Sequence, residues 1–449
     1  MNPEIFREYD IRGIAEKDIT EQDAVSIGRA YGSMIKKNGN VKVTIGRDCR
    51  KSSDLFSMRF IKGILTTGCD VIDIGICPTP VLYFSIHHLS AQGGAMVTAS
   101  HNPPEYNGFK LMNGSDSIHS QGLQKIRKII EDKRYESGSG ILTKADVITP
   151  YMEYIQKNIN IPTKIRIGID AGNGTGGVTA LPVLKSLGCE VHDLYCDMDG
   201  NFPNHPADPT VKDNMLDLIA LVKEEKLDLG VGYDGDADRI GLVDENGSII
   251  YGDQLMVIFA REILSRKPGA TFISEVKCSM TMYDDIRKHG GRAIMWKTGH
   301  SLIKKKMKEE NAALAGEMSG HMFFADRYFG FDDALYATCR LLEIMSKTNK
   351  RVSELIEDLP KTYTTPEIRV QCDDDIKFDV VKKITDRFKK QGEVIDIDGM
   401  RAVYDDGWGL VRASNTQPAL VLRFESLTEP GLARIRNEIE TALKQIIEN

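Results

Sequence analysis

The stretch GAMVTASHNPPEYNGFK (Gly94–Lys110) carries an apolar strand candidate, Gly94–Thr98, directly into a polar loop. Loops at the carboxyl ends of strands are where α/β folds present reactive groups. Outward from it, Val41–Gly46 and Val71–Ile76 are further strand candidates, and Phe56–Thr67 between them reads as a helix. Short β-rich runs alternating with amphipathic helices are the sign of α/β layers. The alternation recurs in a second unit with strand candidates Lys164–Asp170, Glu190–Tyr195 and Leu227–Tyr233. It recurs again in a third, with the strand Thr271–Glu275 and the helix Met282–His289. The last segment reads helix (Ile376–Lys390), strands (Val394–Asp398, Ala402–Tyr404, Leu420–Ser426), then helix (Gly431–Ile447), an α+β layout. The expected fold class is α/β: three α/β domains, 1–145, 146–250 and 251–365, followed by a smaller α+β domain, 366–449.

A chain of 449 residues exceeds the size at which one core keeps growing, which agrees with several domains. Hydrophobic residues are 41% and charged residues 27%, the balance of a globular protein. The net charge of −7 gives no global positive field for nucleic acid or an anionic membrane, so neither is an expected partner. An anionic substrate must then be captured by a local cluster. Eight cysteines lie singly with no CxxC pair, which reads as reduced thiols. The N-terminus lacks an apolar targeting segment, and no stretch approaches the roughly 18 apolar residues of a membrane span. The expected location is the cytoplasm.

Four loops carry chemistry. In the first, Ser100 is a weak nucleophile unless a base or metal activates it, with His101 and Lys110 near in sequence. Alone, a Ser-His dipeptide reads as a pair of solvent-facing turn residues rather than a catalytic pair. The second loop, YDGDADR (Tyr233–Arg239), sets Asp234, Asp236 and Asp238 at alternate positions after an apolar strand. Three carboxylates that close repel, and a divalent cation is the natural neutraliser. Oxygen ligands favour Mg²⁺, Mn²⁺ or Ca²⁺. An EF-hand is excluded because Arg239 occupies the position that needs glycine and the flanks are strand-like. A solvated acidic turn remains the alternative.

The third loop, GEMSGH (Gly316–His321), groups a carboxylate, a hydroxyl and an imidazole that could bind sugar hydroxyls or merely cap a helix. The fourth, RASNTQ (Arg412–Gln417), offers forked donors, hydroxyls and an amide for a phosphate, or is a polar turn. A fifth match, GNGTGG (Gly172–Gly177), satisfies GxGxxG but reads as a tight strand-to-helix turn.

In this order, from Tyr9-Asp-Ile-Arg-Gly13 to Arg423-Phe-Glu425, the motifs resemble the α-D-phosphohexomutase family. Within it, Glu317-Met-Ser319, the residues Pro104–Lys110 and Arg412–Thr416 are most similar to the phosphomannomutase/phosphoglucomutase branch. The phosphoglucosamine branch usually carries glutamine where Met318 stands, and is the alternative. The resemblance implies four domains, the first three with similar mixed sheets. It implies an isomerase-class phosphotransferase acting on mannose or glucose 1- or 6-phosphate, with Mg²⁺ and a hexose 1,6-bisphosphate as intermediate and activator. Ser100 would carry the phosphoryl group and complete a metal site made by Asp234, Asp236 and Asp238. Lys110, with His101 and Arg12, would move the hydroxyl proton, and Arg239 would steady the transferring group. Glu317 and Ser319 would hold the sugar; Tyr9, Lys277, His300 and His321 are further substrate contacts. Arg412, Ser414, Asn415 and Thr416 would grip the phosphate that is not reacting. The expected assembly is a monomer or small homo-oligomer.

Overall fold

The computed structural model describes residues 1–36, 41–415 and 417–448. It contains four sheets, formed in chain order. The first is mixed. Parallel strands Lys42–Arg47, Asp70–Ile76, Gly93–Val97 and Leu142–Lys144 are extended on one side by the antiparallel strands Tyr106–Asn113 and Ile11–Ile14. Helices Glu21–Lys36 and Ser53–Leu65 pack together beside it, at spacings close enough to require glycine. A Cβ at Gly28 would stand 2.1 Å from the Phe60 carbonyl oxygen.

The second sheet is also mixed: Arg166–Asp170 lies parallel to Glu190–Leu194 and Leu229–Tyr233, and Ile240–Asp244 returns antiparallel. The third repeats the pattern, with Thr271–Glu275, Arg292–Trp296 and Leu314–Gly316 parallel and Met322–Phe324 antiparallel. The fourth is antiparallel throughout, with Gly407–Ala413 at its centre, Ala419–Ser426 next to it, and helices Lys377–Phe388 and Glu429–Ile447 beside it. The α/β and α+β classes read from sequence are therefore those of the molecule.

Several strands were not anticipated, among them Ile11–Ile14, Ile240–Asp244, Arg292–Trp296 and Met322–Phe324, and two of the others carry site residues. In Tyr106–Asn113, Gly108 does not turn the chain. It admits the neighbouring strand, because a Cβ there would lie 2.1 Å from the Ile11 carbonyl oxygen. In Gly407–Ala413, the glycines at 407 and 409 make room for Ile435 and Ile439 of the last helix. Lys110 and Arg412, placed on loops by the sequence reading, therefore stand on strands, where backbone pairing fixes their direction.

One apolar core runs from the first unit to the third, through residues such as Ile86, Val183, Leu242 and Phe259. The fourth unit has its own core around Leu422, Phe424 and Ile439. It meets the third through Trp408, which packs with Val276 and Leu410. No helix among the described residues is long and apolar enough to cross a membrane.

Candidate active site

The three aspartates occupy the turn between the antiparallel strands Leu229–Tyr233 and Ile240–Asp244. The turn closes on itself: Asp234 Oδ1 accepts the backbone N–H groups of Asp238 and Arg239, each at 3.1 Å. The GxGxxG segment buttresses it from behind. It is a strand-to-helix turn, and Thr175 N donates to the Gly235 carbonyl at 3.0 Å. A Cβ at Gly174 would stand 2.6 Å from that same oxygen.

All three carboxylates are fully buried, and one oxygen from each lies within 4.8 Å of the others. Burial, then Asp238 and Asp236, push the Asp234 carboxyl well above the usual range. Burial acts the same way on Asp236, but Lys110 outweighs it and holds that carboxyl low. Lys110 Nζ donates to Asp236 Oδ2 at 2.6 Å and also to Asp238 Oδ2. Thr79 Oγ1 adds a bond to Asp236 Oδ2 at 2.6 Å. The remaining oxygens, Asp236 Oδ1 and Asp238 Oδ1, are buried with no hydrogen-bond partner. Buried carboxylate oxygens left without a hydrogen bond are costly unless a cation is shared between them. The donor set is all oxygen and fits a hard divalent ion.

Ser100 meets this turn from the first unit. Its Oγ donates to Asp234 Oδ2 at 2.7 Å and lies 3.1 Å from His101 Nδ1. Its backbone is left-handed, with φ 52°, a conformation a non-glycine residue holds only where its surroundings enforce it. Burial, then Arg239 and Arg12, hold the His101 pKa well below the usual imidazole range, so the ring is neutral.

Arginines converge from two sides. Arg12 Nη1 donates to Asn102 Oδ1 at 2.7 Å, and Nη2 pairs with Asp10. Arg239 Nε donates to His321 Nε2 at 2.6 Å, which assigns the ring proton to Nδ1, 3.1 Å from Asp332 Oδ2. Asp332 is in turn bonded by Lys304 at 3.0 Å, and the His300 ring lies 5.5 Å from that of His321.

The sugar-loop candidates gather next to them. Glu317 Oε1 accepts Gly299 N at 2.7 Å, at the start of the helix His300–Glu310. Ser319 is half-buried in the same turn. Tyr9 OH donates to the Thr298 carbonyl at 2.8 Å, and Asn415 Nδ2 donates to Tyr9 OH at 2.7 Å, so the first, third and fourth units meet here. Arg412 Nε donates to Asp398 at 3.0 Å while its Nη2 is buried without a hydrogen-bond partner. Ser414 Oγ accepts Gln417 N at 3.2 Å, and Thr416 lies outside the described residues. Lys277 is engaged with Glu367 at 3.2 Å and Glu275 at 3.5 Å. Met318, read as a branch marker, turns its sulfur to Arg423 of the fourth unit.

The chain matches four models described as phosphoglucomutase/phosphomannomutase domains. These are the α/β/α domains I, II and III over residues 3–137, 149–247 and 251–363, and the C-terminal domain over 367–442. A phosphomannomutase/phosphoglucomutase of Pseudomonas aeruginosa is 45% identical over 443 residues, 98% of this chain and 96% of that protein. The chain belongs to the phosphoglucomutase/phosphomannomutase family. Mutases of this family are isomerase-class phosphotransferases. A phosphoglucomutase of Neisseria gonorrhoeae is 42% identical over 446 residues, 98% of this chain and 97% of its own. A crystal structure of a family protein from Burkholderia thailandensis superposes with a TM-score of 0.94 at 42% identity, covering 99% of this chain and 98% of that one.

Sequence reasoning passed over Thr79, Asn102 and Asp332, which are bonded to Asp236, Arg12 and His321, and Asp48 and Arg50, which are bonded to each other, Arg50 also donating to the Ser100 carbonyl. One signal was available. Gly46-Arg-Asp-Cys-Arg50 stands at a strand's carboxyl end, the same place that singled out the serine loop.

Proposed function

We propose that the chain is a phosphomannomutase/phosphoglucomutase, moving a phosphoryl group reversibly between C1 and C6 of a hexose phosphate by way of Ser100. The observation that carries this reading is the 2.7 Å bond from Ser100 Oγ to Asp234 in a pocket where Asp236 and Asp238 each keep an unpartnered oxygen. A buried serine beside three carboxylates is a poor protease-like nucleophile but a suitable phosphate carrier. The division of labour follows the proposed domains. Residues 1–145 supply the carrier loop, 146–250 the metal loop, 251–365 the sugar loop and 366–449 the phosphate loop.

Asp234, Asp236 and Asp238 would hold Mg²⁺ together with an oxygen on Ser100. Bound there, the ion would supply neutralisation of charge at the phosphoryl oxygens. The free hydroxyl of the sugar phosphate attacks the phosphorus, the bond to Ser100 Oγ breaks, and a hexose 1,6-bisphosphate results. His101, whose ring is neutral and lies beside Ser100 Oγ, takes the hydroxyl's proton and returns it, while the buried, charged Lys110 and Arg12 steady the oxygen that loses or regains that proton. Arg239, aimed by His321, stabilises the charge spread over the transferring group. Glu317 and Ser319 hold sugar hydroxyls, with Tyr9, Lys277, His300 and His321 as further contacts. Arg412, Ser414, Asn415 and Thr416 grip the distal phosphate. The bisphosphate then turns over and returns its other phosphoryl group to Ser100. The reading is tested with Ser100→Ala, assayed by coupled conversion of glucose 1-phosphate and mannose 1-phosphate with Mg²⁺ and a bisphosphate primer. Turnover is expected to vanish with both sugars, and a fully active variant would overturn the reading.

A further inference from the structure

We propose that Arg50 is the positioning residue that holds the Ser100 loop in its reactive geometry, an inference that rests on Ser100 as the phosphate carrier. A guanidinium has five N–H donors in a rigid planar fork. In Arg50 every one is used. Nε donates to Asp48 Oδ2 at 3.1 Å. Nη2 donates to the carbonyl oxygens of Ser100 at 2.7 Å and Asn102 at 2.6 Å. Nη1 donates to those of Pro103 at 2.5 Å and Tyr106 at 3.2 Å. Four carbonyls of one loop thus point at one cation, and they begin at the residue whose φ is 52°.

The clamp is dry. The Arg50 side chain has no exposed surface, and the Phe202 ring of the second unit lies over it, 5.0 Å from the guanidinium carbon. Gly200 makes that approach feasible, since a Cβ there would be 2.5 Å from the Cys49 carbonyl oxygen. Asp48 is anchored in turn: its Oδ1 accepts Arg50 N at 3.0 Å and the Ser53 hydroxyl, and Ser53 is bonded by Asn107 at 2.9 Å. The left-handed turn at Ser100 is therefore over-determined by a charge-assisted set of bonds with no water to replace it. A lysine retains the charge but has three donors around a point, and cannot span four carbonyls.

The test compares Arg50→Lys and Arg50→Ala with the parent enzyme in steady-state turnover of glucose 1-phosphate, with thermal unfolding run in parallel. Misplacing a reacting group by about 1 Å costs ~10²-fold in rate. Both variants are expected to lose ~10²-fold in kcat. KM for the sugar phosphate stays near the parent value, because the grip on the sugar lies on other loops. Millimolar guanidinium ion, too dilute to denature, is expected to restore part of the kcat of Arg50→Ala and to leave the parent unchanged. Full kcat in Arg50→Lys would overturn the inference. So would a rise in KM with kcat retained, or a folded Arg50→Ala that guanidinium fails to rescue. If Arg50→Ala does not fold, the kcat and KM of Arg50→Lys decide alone. An inactive Ser100→Ala beside fully active Arg50 variants refutes this inference only, whereas a fully active Ser100→Ala refutes the carrier reading beneath it.

Discussion

Lys110 is the only described cation bonded to the carboxylates of both Asp236 and Asp238. Burial alone would lower its pKa, but Asp236, Asp238 and Asp234 overcome that and hold the ammonium charged. Removing it leaves buried carboxylates without a counter-charge, which is the expensive way to break an ion pair. Lys110→Met keeps the length of the apolar stem and is expected to lose ~10²–10³-fold in kcat, the range for one donor aimed at developing charge. Its unfolding temperature should also rise more on adding Mg²⁺ than the parent's does, since the ion then replaces the lost counter-charge beside Asp236 and Asp238. Equal shifts in the two proteins would count against the assignment. At this scale the four loops were legible because unusual residues crowd together at strand ends. Asp332 and Thr79 were not, since an aspartate and a threonine become partners of His321 and Asp236 only when distant strands meet.

At the scale of elements, the helix Ala334–Thr348 begins on Asp333, whose side chain caps it by accepting Tyr336 N at 2.8 Å. The same carboxylate accepts the hydroxyls of Tyr151 at 2.9 Å and Tyr328 at 2.7 Å, tying the second and third units together. Burial pushes its pKa up to about 6, with Tyr336 N, Tyr328 and Tyr151 opposing. A raised carboxyl binds its proton more tightly in the folded state, so folding stability from this group falls as pH rises from about 4 to about 6. Through that window Asp333→Asn should gain on the parent by up to ~3 kcal/mol, to be read from denaturant unfolding at each pH. Parallel curves would contradict it. Elements were legible where apolar runs were continuous, as in Thr271–Glu275 and Leu229–Tyr233. Tyr106–Asn113 and Gly407–Ala413 were missed for a physical reason: their glycines serve close approach of a strand and a helix, yet in sequence they imitate turns.

Over the whole molecule, loops from the four sheets are joined by hydrogen bonds, Ser100 to Asp234, Arg239 to His321 and Asn415 to Tyr9, and the alternation of strands and helices already implied the sheets. Their mutual placement was not legible, because it rests on apolar packing and bonds between residues far apart in sequence. Tyr9 joins Thr298 and Asn415. Arg401, buried and stacked 3.7 Å from the centre of the Trp408 ring, donates to the Val276 and Cys278 carbonyls. Burial pushes that guanidinium down to about 10, which marks how dry the seam between the third and fourth units is. Such a seam fixes the fourth unit, with its proposed phosphate loop, on the third, as the proposed transfer between two ends of a sugar requires.

The most direct measurement of that reaction is the intact mass of the protein after stripping with excess sugar monophosphate and incubation with glucose 1,6-bisphosphate and Mg²⁺. The account predicts one added phosphoryl group, mapped by peptide analysis to Ser100, removed again by glucose 6-phosphate and absent without divalent metal. Turnover without any phosphorylated form, or a phosphoryl group on another residue, would contradict it.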